Sequence, residues 1–177
     1  MRRYCAAAAL LWLAACAAPG FLQPATGVEF ELSGRIAVRY RDDAGSGNFA
    51  WRHGARADEL LLTSPFGQGI ARIVRAGDEV ALTTQDGREF RAADAESLTE
   101  QVLGFRLPLL GLADWVRGRA AAVPAPTLAR ADASGRLAEL EQSGWRIEYL
   151  EYAGAQPSRL RLTYPGLELR LAVSEWK

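Results

Sequence analysis

Hydrophobic and polar residues alternate along most of the chain beyond residue 29. The clearest case is 30–41, where Phe30, Leu32, Ile36, Val38 and Tyr40 fall on one side and Glu31, Ser33, Arg35, Arg39 and Arg41 on the other. A period of two predicts a long strand with one buried face. Residues 42–47, Asp-Asp-Ala-Gly-Ser-Gly, read as a loop. A second strand follows over 48–53 with Phe49 and Trp51 inward, then a third over 58–64, a fourth over 69–75 and a fifth over 79–84. Asp86-Gly87 marks a hairpin leading to a short strand at 89–92.

The period then changes. Asp94 is a good helix cap, and Leu98, Val102 and Leu103 recur at helical spacing. Pro108 can open a second helix carrying Leu109, Leu110, Leu112, Trp115 and Val116, with Gly118 to end it. Residues 120–126 form a Pro/Ala linker. Strands resume at 136–142, 145–149, 159–164 and 167–173. The pattern thus predicts about ten strands, antiparallel because their connections are short, with a helical interruption and no repeat or second domain. Such a sheet must curl, and its concave face must be covered. Two helices over it can leave either a filled core or a cavity, and periodicity does not separate the two. The density of Leu, Phe and Trp on its own favours a filled core.

The amino terminus follows another logic. Met1-Arg2-Arg3 is basic, 4–13 is apolar, and Leu13-Ala14-Ala15-Cys16 follows. This is the form of a secretory signal, and Leu-Ala-Ala-Cys resembles the lipobox of bacterial lipoproteins. The resemblance implies removal of 1–15 and acylation of Cys16. Ala17 stands where an Asp would imply retention in the inner membrane, so an outer-membrane address is expected. Residues 16–28, with Pro19, Gly20, Pro24 and Gly27, read as a tether and 29–177 as a single domain.

Processing changes the charge. The 177 residues carry 21 Lys+Arg and 21 Asp+Glu; without Arg2 and Arg3, 19 basic residues face 21 acidic ones. There is no sequence-wide basic character of the kind nucleic acid requires. No run of 18 or more apolar residues occurs, so a spanning helix is not expected. Cys5 would be discarded and Cys16 acylated, leaving no disulfide or thiolate metal site.

Catalytic signals are sparse. The single His, His53, shares a strand with Phe49 and Trp51 and reads as structural or surface; nucleophile elbows and phosphate loops are lacking. No catalytic residue, metal or cofactor is expected. One loop is unusual. Pro65-Phe66-Gly67 forms a tight turn between strands with Phe66 at its tip. Phe66 either folds back on the sheet edge or probes a membrane or partner. The outward Arg35, Arg39 and Arg41 offer a face for an acidic partner.

The lipobox, Leu-Ser-Gly-Arg-Ile-Ala-Val-Arg at 32–39, Gly-Asn-Phe-Ala-Trp at 47–51, Leu-Leu-Leu-Thr-Ser-Pro-Phe-Gly-Gln at 60–68, Leu-Pro-Leu at 107–109, Trp-Val-Arg-Gly-Arg at 115–119 and Gly-Trp-Arg-Ile-Glu-Tyr at 144–149 come in an order that resembles the outer-membrane lipoprotein receptor family LolB. The resemblance implies an unclosed antiparallel β-barrel with helices over a hydrophobic cavity. It also implies a non-enzymatic monomer that accepts triacylated lipoproteins from a LolA-like periplasmic carrier and inserts them into the inner leaflet of the outer membrane. Related proteins commonly carry Leu where this chain has Phe66. Under this reading Cys16 carries the lipid and Pro65, Phe66 and Gly67 form the membrane-contacting loop. The acyl-chain cavity is expected to be lined by Phe30, Ile36, Trp51, Leu60, Leu98, Val102, Leu112, Trp115, Trp145 and Ile147. The competing reading is an anchored scaffold lipoprotein with a filled core.

Overall fold

A computed structural model describes residues 27–177. Eleven strands form one sheet in which every pairing is antiparallel. Six strands come first: β1 (Val28–Tyr40), β2 (Asp43–Gly54), β3 (Ala57–Thr63), β4 (Gly69–Ala76), β5 (Glu79–Thr84) and β6 (Glu89–Ala92). Two helices follow, α1 (Ala95–Leu103) and α2 (Leu109–Trp115). The last five strands are β7 (Leu128–Ala131), β8 (Leu137–Gln142), β9 (Trp145–Ala153), β10 (Gln156–Tyr164) and β11 (Leu167–Trp176).

The order β6-β5-β4-β3-β2-β1-β11-β10-β9-β8-β7 contains two meanders joined at the middle by β1 and β11. Both ends of the described chain therefore lie at the centre of the sheet, where Glu31 and Lys177 exchange two backbone hydrogen bonds of 2.8 Å. The outer edges, β6 and β7, do not pair with each other, so the barrel is unclosed.

Two expectations need correction. Residues 43–47 are not a loop but the start of β2, paired with Tyr40 back to Ile36. The turn is only Arg41-Asp42, with Arg41 at φ 54°. Of the glycines that suggested a loop, Gly47 serves a bend instead. A Cβ on Gly47 would lie 2.2 Å from the Thr63 carbonyl oxygen, and one on Gly34 would lie 2.1 Å from that of Ala172. Gly34 sits at the register shift between β1 and β11. Glycine in a strand marks such close backbone approach and sharp curling. The second correction is β7, an eleventh strand that the pattern missed. It is a four-residue edge strand, mostly exposed, with no apolar alternation to betray it.

Elsewhere the alternation is faithful. Phe30, Leu32, Phe49, Trp51, Leu60, Ile73, Val80 and Leu82 are buried from the first meander, and Leu140, Ile147, Leu160, Leu162, Leu169 and Leu171 from the second. Helix α1 begins where Asp94 accepts the Ser97 backbone N–H at 2.7 Å and ends at Gly104, φ 81°. The Ser97 bonds hold the Asp94 carboxyl below the usual carboxylate range. A lowered carboxylate stabilises the fold above its unfolded value and ceases to do so as pH falls through the folded one, so α1 loses its cap on acidification. Helix α2 starts after Pro108, whose carbonyl accepts the Leu112 N–H at 2.8 Å.

The bend at Gly34 predicts an asymmetric response to alanine. Gly34→Ala must displace the β11 backbone and should lower the unfolding free energy by about 1–3 kcal/mol. Gly45→Ala, which meets nothing within 4 Å, should leave it unchanged or slightly raised. Urea denaturation midpoints at equal slope measure both.

A candidate lipid-binding cavity

Beneath the helices the barrel contains a cavity of about 190 Å³. Its fifteen lining residues are all apolar. The sheet contributes Leu32, Ile36 and Val38 from β1, Phe49 and Trp51 from β2, Leu60 and Leu62 from β3, Ile73 from β4, and Leu169 and Leu171 from β11. The roof is Leu103 at the end of α1, Phe105 and Leu107 in the link, Leu112 in α2 and Val116 just after it. Water needs two to four polar partners to occupy a cavity, and these walls offer no polar side chain.

Of the residues expected from the sequence, Ile36, Trp51, Leu60 and Leu112 lie on this wall. The other six pack elsewhere. Phe30 stacks on His53 at 4.8 Å, with the Arg117 guanidinium 5.1 Å from its ring. Leu98 is fully buried on α1, which packs against β5 and β6, and Val102 is half-buried against the same core. The Trp115 ring lies 6.1 Å from Trp145, which lies 5.2 Å from Tyr164, and Ile147 is fully buried. Both possibilities left open by periodicity are therefore realised. The half of the barrel under β7–β10 is filled by aromatic packing, and the half under β1–β4 is hollow.

Eleven lining residues escaped the sequence reading: Leu32, Val38, Phe49, Leu62, Ile73, Leu103, Phe105, Leu107, Val116, Leu169 and Leu171. Alternation put the strand residues among them on the inner face but could not say which part of that face stays uncovered. Trp115 and Trp145, also expected on the wall, fill the space they occupy.

Buried polar groups fix the walls. The Trp51 indole N–H donates to Asp58 Oδ1 at 2.9 Å, which directs the indole nitrogen to a carboxylate. The same oxygen lies 2.6 Å from His53 Nδ1, and Asp58 Oδ2 accepts Arg75 Nε at 2.5 Å. Arg75 also donates to the Gly54 carbonyl at 3.0 Å. His53 thus has a structural place, and the network crosses β2, β3 and β4. On the filled side, Gln142 accepts the Trp115 indole N–H at 2.8 Å and the Ala121 N–H at 2.9 Å, and donates to the Ala121 carbonyl. The Tyr149 hydroxyl donates to the Trp115 carbonyl at 3.0 Å, and burial pushes that phenol's pKa up, keeping it a donor.

The lid is consequently held unequally. Helix α2 is fastened to β8 and β9 by those buried bonds, and Arg117 bridges its end to Glu29 at 3.2 Å. Over the hollow half, the Thr99 hydroxyl accepts the Leu107 N–H at 2.8 Å. Tyr40 alone among the described hydrogen bonds ties the 104–107 link to the sheet: its hydroxyl donates to the Gly104 carbonyl at 2.6 Å, with the ring 5.5 Å from Phe105.

The second site is the β3–β4 loop. Ser64 N–H donates to the Gln68 carbonyl at 2.7 Å, Gly67 N–H donates to the Ser64 carbonyl at 2.9 Å, and Gly67 takes φ 84°. Asn48 Nδ2 donates to the Ser64 carbonyl at 3.1 Å from β2. On this well-bonded base Pro65 and Gly67 are exposed and Phe66 is 93% exposed. Phe66 does not fold back on the sheet. Cys16, the expected signal 1–15 and most of the tether lie outside the described residues.

An unclosed antiparallel barrel roofed by two helices places the molecule in the LolA-like fold class. A solved LolA superfamily protein from Nitrosomonas europaea shares the fold with a TM-score of 0.51 at 12% identity, covering 84% of each chain. Relatives described as outer-membrane lipoprotein LolB are far more similar in sequence. One from Thiobacillus denitrificans is 39% identical over 184 residues, covering 100% of this chain and 98% of its own. One from Chromobacterium violaceum is 35% identical, covering 100% and 99%. The family described as outer membrane lipoprotein LolB matches residues 28–176. The chain belongs to the LolB family, the non-enzymatic outer-membrane receptors that take lipoproteins from LolA and insert them into that membrane.

The unequal fastening of the lid makes a prediction. Tyr40→Phe keeps the ring but removes one hydrogen bond, worth about 1 kcal/mol. Amide hydrogen exchange at residues 105 and 107 should quicken about fivefold, with exchange in α2 unchanged. Equal acceleration in both would refute the asymmetry.

Proposed function

We propose that the hollow half of the barrel receives the acyl chains of the cargo lipoprotein on its way from LolA to the outer membrane. The observation that carries this is a cavity lined by apolar side chains alone, under the loosely fastened part of the lid. Exposing a methylene to water costs about 0.8 kcal/mol. A chain of about 16 carbons therefore costs on the order of 12 kcal/mol, and three such chains tens of kcal/mol. Passage from one cavity to another avoids that cost. A modest difference in affinity then sets direction, at about 1.4 kcal/mol per tenfold.

The resting volume sets a requirement. An apolar cavity of about 150 Å³ takes one benzene, so 190 Å³ is far short of three acyl chains. Loading must lift the lid. The 104–107 link is the part to move, because α2 is held by buried hydrogen bonds and the link by Tyr40 at the sheet rim.

In this reading Cys16 bears the lipid that holds the protein at the outer membrane, and Pro65-Phe66-Gly67 enters the inner leaflet during release. A large apolar side chain held out on a hydrogen-bonded turn suits insertion, because little further ordering of the backbone is needed when it enters the leaflet.

Two variants test the two halves of the proposal in a transfer assay with loaded LolA and liposomes. Leu62→Trp, which places an indole ring in the cavity, should fold but accept lipoprotein at least tenfold more slowly. Phe66→Glu should accept at the normal rate yet fail to deposit. Normal acceptance by the first would remove the cavity assignment, and normal deposition by the second would remove the loop assignment.

A further inference from the structure

The convex face of the sheet carries a groove of about 590 Å³ lined by four arginines, Arg35, Arg159, Arg161 and Arg170, with no carboxylate in its lining. Its floor is low because Ala37, Ser46, Gly47 and Ala172 stand between the long side chains. Arg159 pairs with Glu151 at 3.3 Å, Arg161 with Glu148 at 3.2 Å, and Arg170 with Glu168 at 2.8 Å. Arg35 is exposed and has no ion pair among the described residues. Arg161 Nε is buried without a hydrogen-bond partner there, a Glu168 oxygen standing 4.0 Å away. The groove therefore holds one guanidinium, that of Arg35, exposed and free to meet an anion.

Its position relative to the Phe66 loop says which anion. Thr63, Asn48, Arg35, Ala172 and Arg159 form one continuous row of cross-strand neighbours through β3, β2, β1, β11 and β10. Their side chains share the convex face, since the inward residues alternate with them. Thr63 leads directly into the loop, Asn48 bonds its base, and Pro65 itself lines the groove. At about 4.8 Å per strand, Arg35 lies about 10 Å sideways from Thr63. Phe66 lies three residues beyond Thr63, so a tip in the acyl region leaves the Arg35 row roughly 7–10 Å shallower. That is the depth of the headgroups, which occupy roughly 5–8 Å on each side of the hydrocarbon.

We propose that this arginine groove, led by Arg35, is a second membrane contact that binds the phosphodiester of anionic phospholipids while Phe66 occupies the leaflet. The proposal rests on the reading of Phe66 as the tip that enters the membrane. Guanidinium groups favour phosphate through paired N–H donors. The apolar tip alone sets how deep the loop goes; a charge contact about 10 Å to one side sets how the barrel leans, which a single inserted side chain cannot do.

The test uses the acylated full chain reconstituted in vesicles of phosphatidylcholine, with or without about a third phosphatidylglycerol. A spin label on Ser46→Cys, in the groove, reports exposure to an aqueous relaxation agent. Phosphatidylglycerol should lower that exposure about fivefold in the otherwise native protein, as expected for one arginine at an anionic surface. Arg35→Glu should abolish the difference and leave exposure on phosphatidylcholine alone unchanged. Circular dichroism should stay native, because Arg35 has no ion pair among the described residues to lose. Exposure independent of phosphatidylglycerol in the native protein would overturn the proposal, as would Arg35→Glu keeping the full effect. If Arg35→Glu leaves the lipid effect intact but slows acceptance from LolA, the groove belongs to an acidic protein surface instead. Phe66→Glu separates the two readings: it should impair lipoprotein deposition on both vesicle types alike. Normal deposition by Phe66→Glu, with the Arg35 lipid effect still present, would sink the loop reading while leaving the anion site standing.

Discussion

An eleven-stranded sheet has more apolar concave surface than two helices of nine and seven residues can fill. That mismatch is the constraint on which the rest depends. The sheet cannot stay flat, so it curls at Gly34 and Gly47, where two backbones approach too closely for a Cβ. It does not close: β6 and β7 lie at opposite edges and do not pair. The open side must be covered, and the cover is the chain between β6 and β7. Where that chain brings Trp115 against Trp145 and Tyr164, the interior is full. Where it brings Leu103, Phe105 and Leu107, space remains. A cavity of this kind forfeits dispersion contacts along its walls, which a receptor can recover when a lipid chain enters.

Such a void survives only if its walls do not collapse. Two buried polar nodes oppose collapse. Asp58 gathers Trp51, His53 and Arg75 across three neighbouring strands. A buried carboxylate stripped of these partners would be strongly destabilising, so the strands keep their spacing and Trp51 keeps its orientation. Gln142 does the same for the lid, engaging Trp115 and Ala121 at once. Neither Asp58 nor Gln142 lines the apolar space, so they stiffen the barrel without adding a polar side chain to the cavity wall. The link between the helices is tied by the buried Thr99 to α1, and among the described hydrogen bonds it meets the sheet only through Tyr40.

Much of this was legible in the chain. Alternation located ten of the strands and the sidedness of Phe30, Leu32, Ile36, Val38 and Tyr40, because a half-buried strand must separate apolar from polar at every second residue. Asp94 marked the start of α1 by the chemistry that helix ends demand. Other features were not legible for definite reasons. Glycines such as those at 45 and 47 look alike in a turn and in a bent strand, so the start of β2 reads as a loop. The edge strand β7 is exposed on most of its length and has no pattern to read. The groove of Arg35 and Arg159 joins residues more than 120 positions apart.

Sequence alone determined the antiparallel character of the sheet and the order of ten strands and two helices, which follow from local periodicity, and its motifs in series carried the family resemblance that implies the unclosed barrel. Only the tertiary structure decided which inward residues face a void and which fill the core. Ile36, Trp51, Leu60 and Leu112 reach the cavity, whereas Trp115 and Trp145 do not. Local pattern fixes which way a side chain points. Whether anything meets it there depends on how far the sheet curls and where the lid ends, and both are set by contacts between residues distant in the chain.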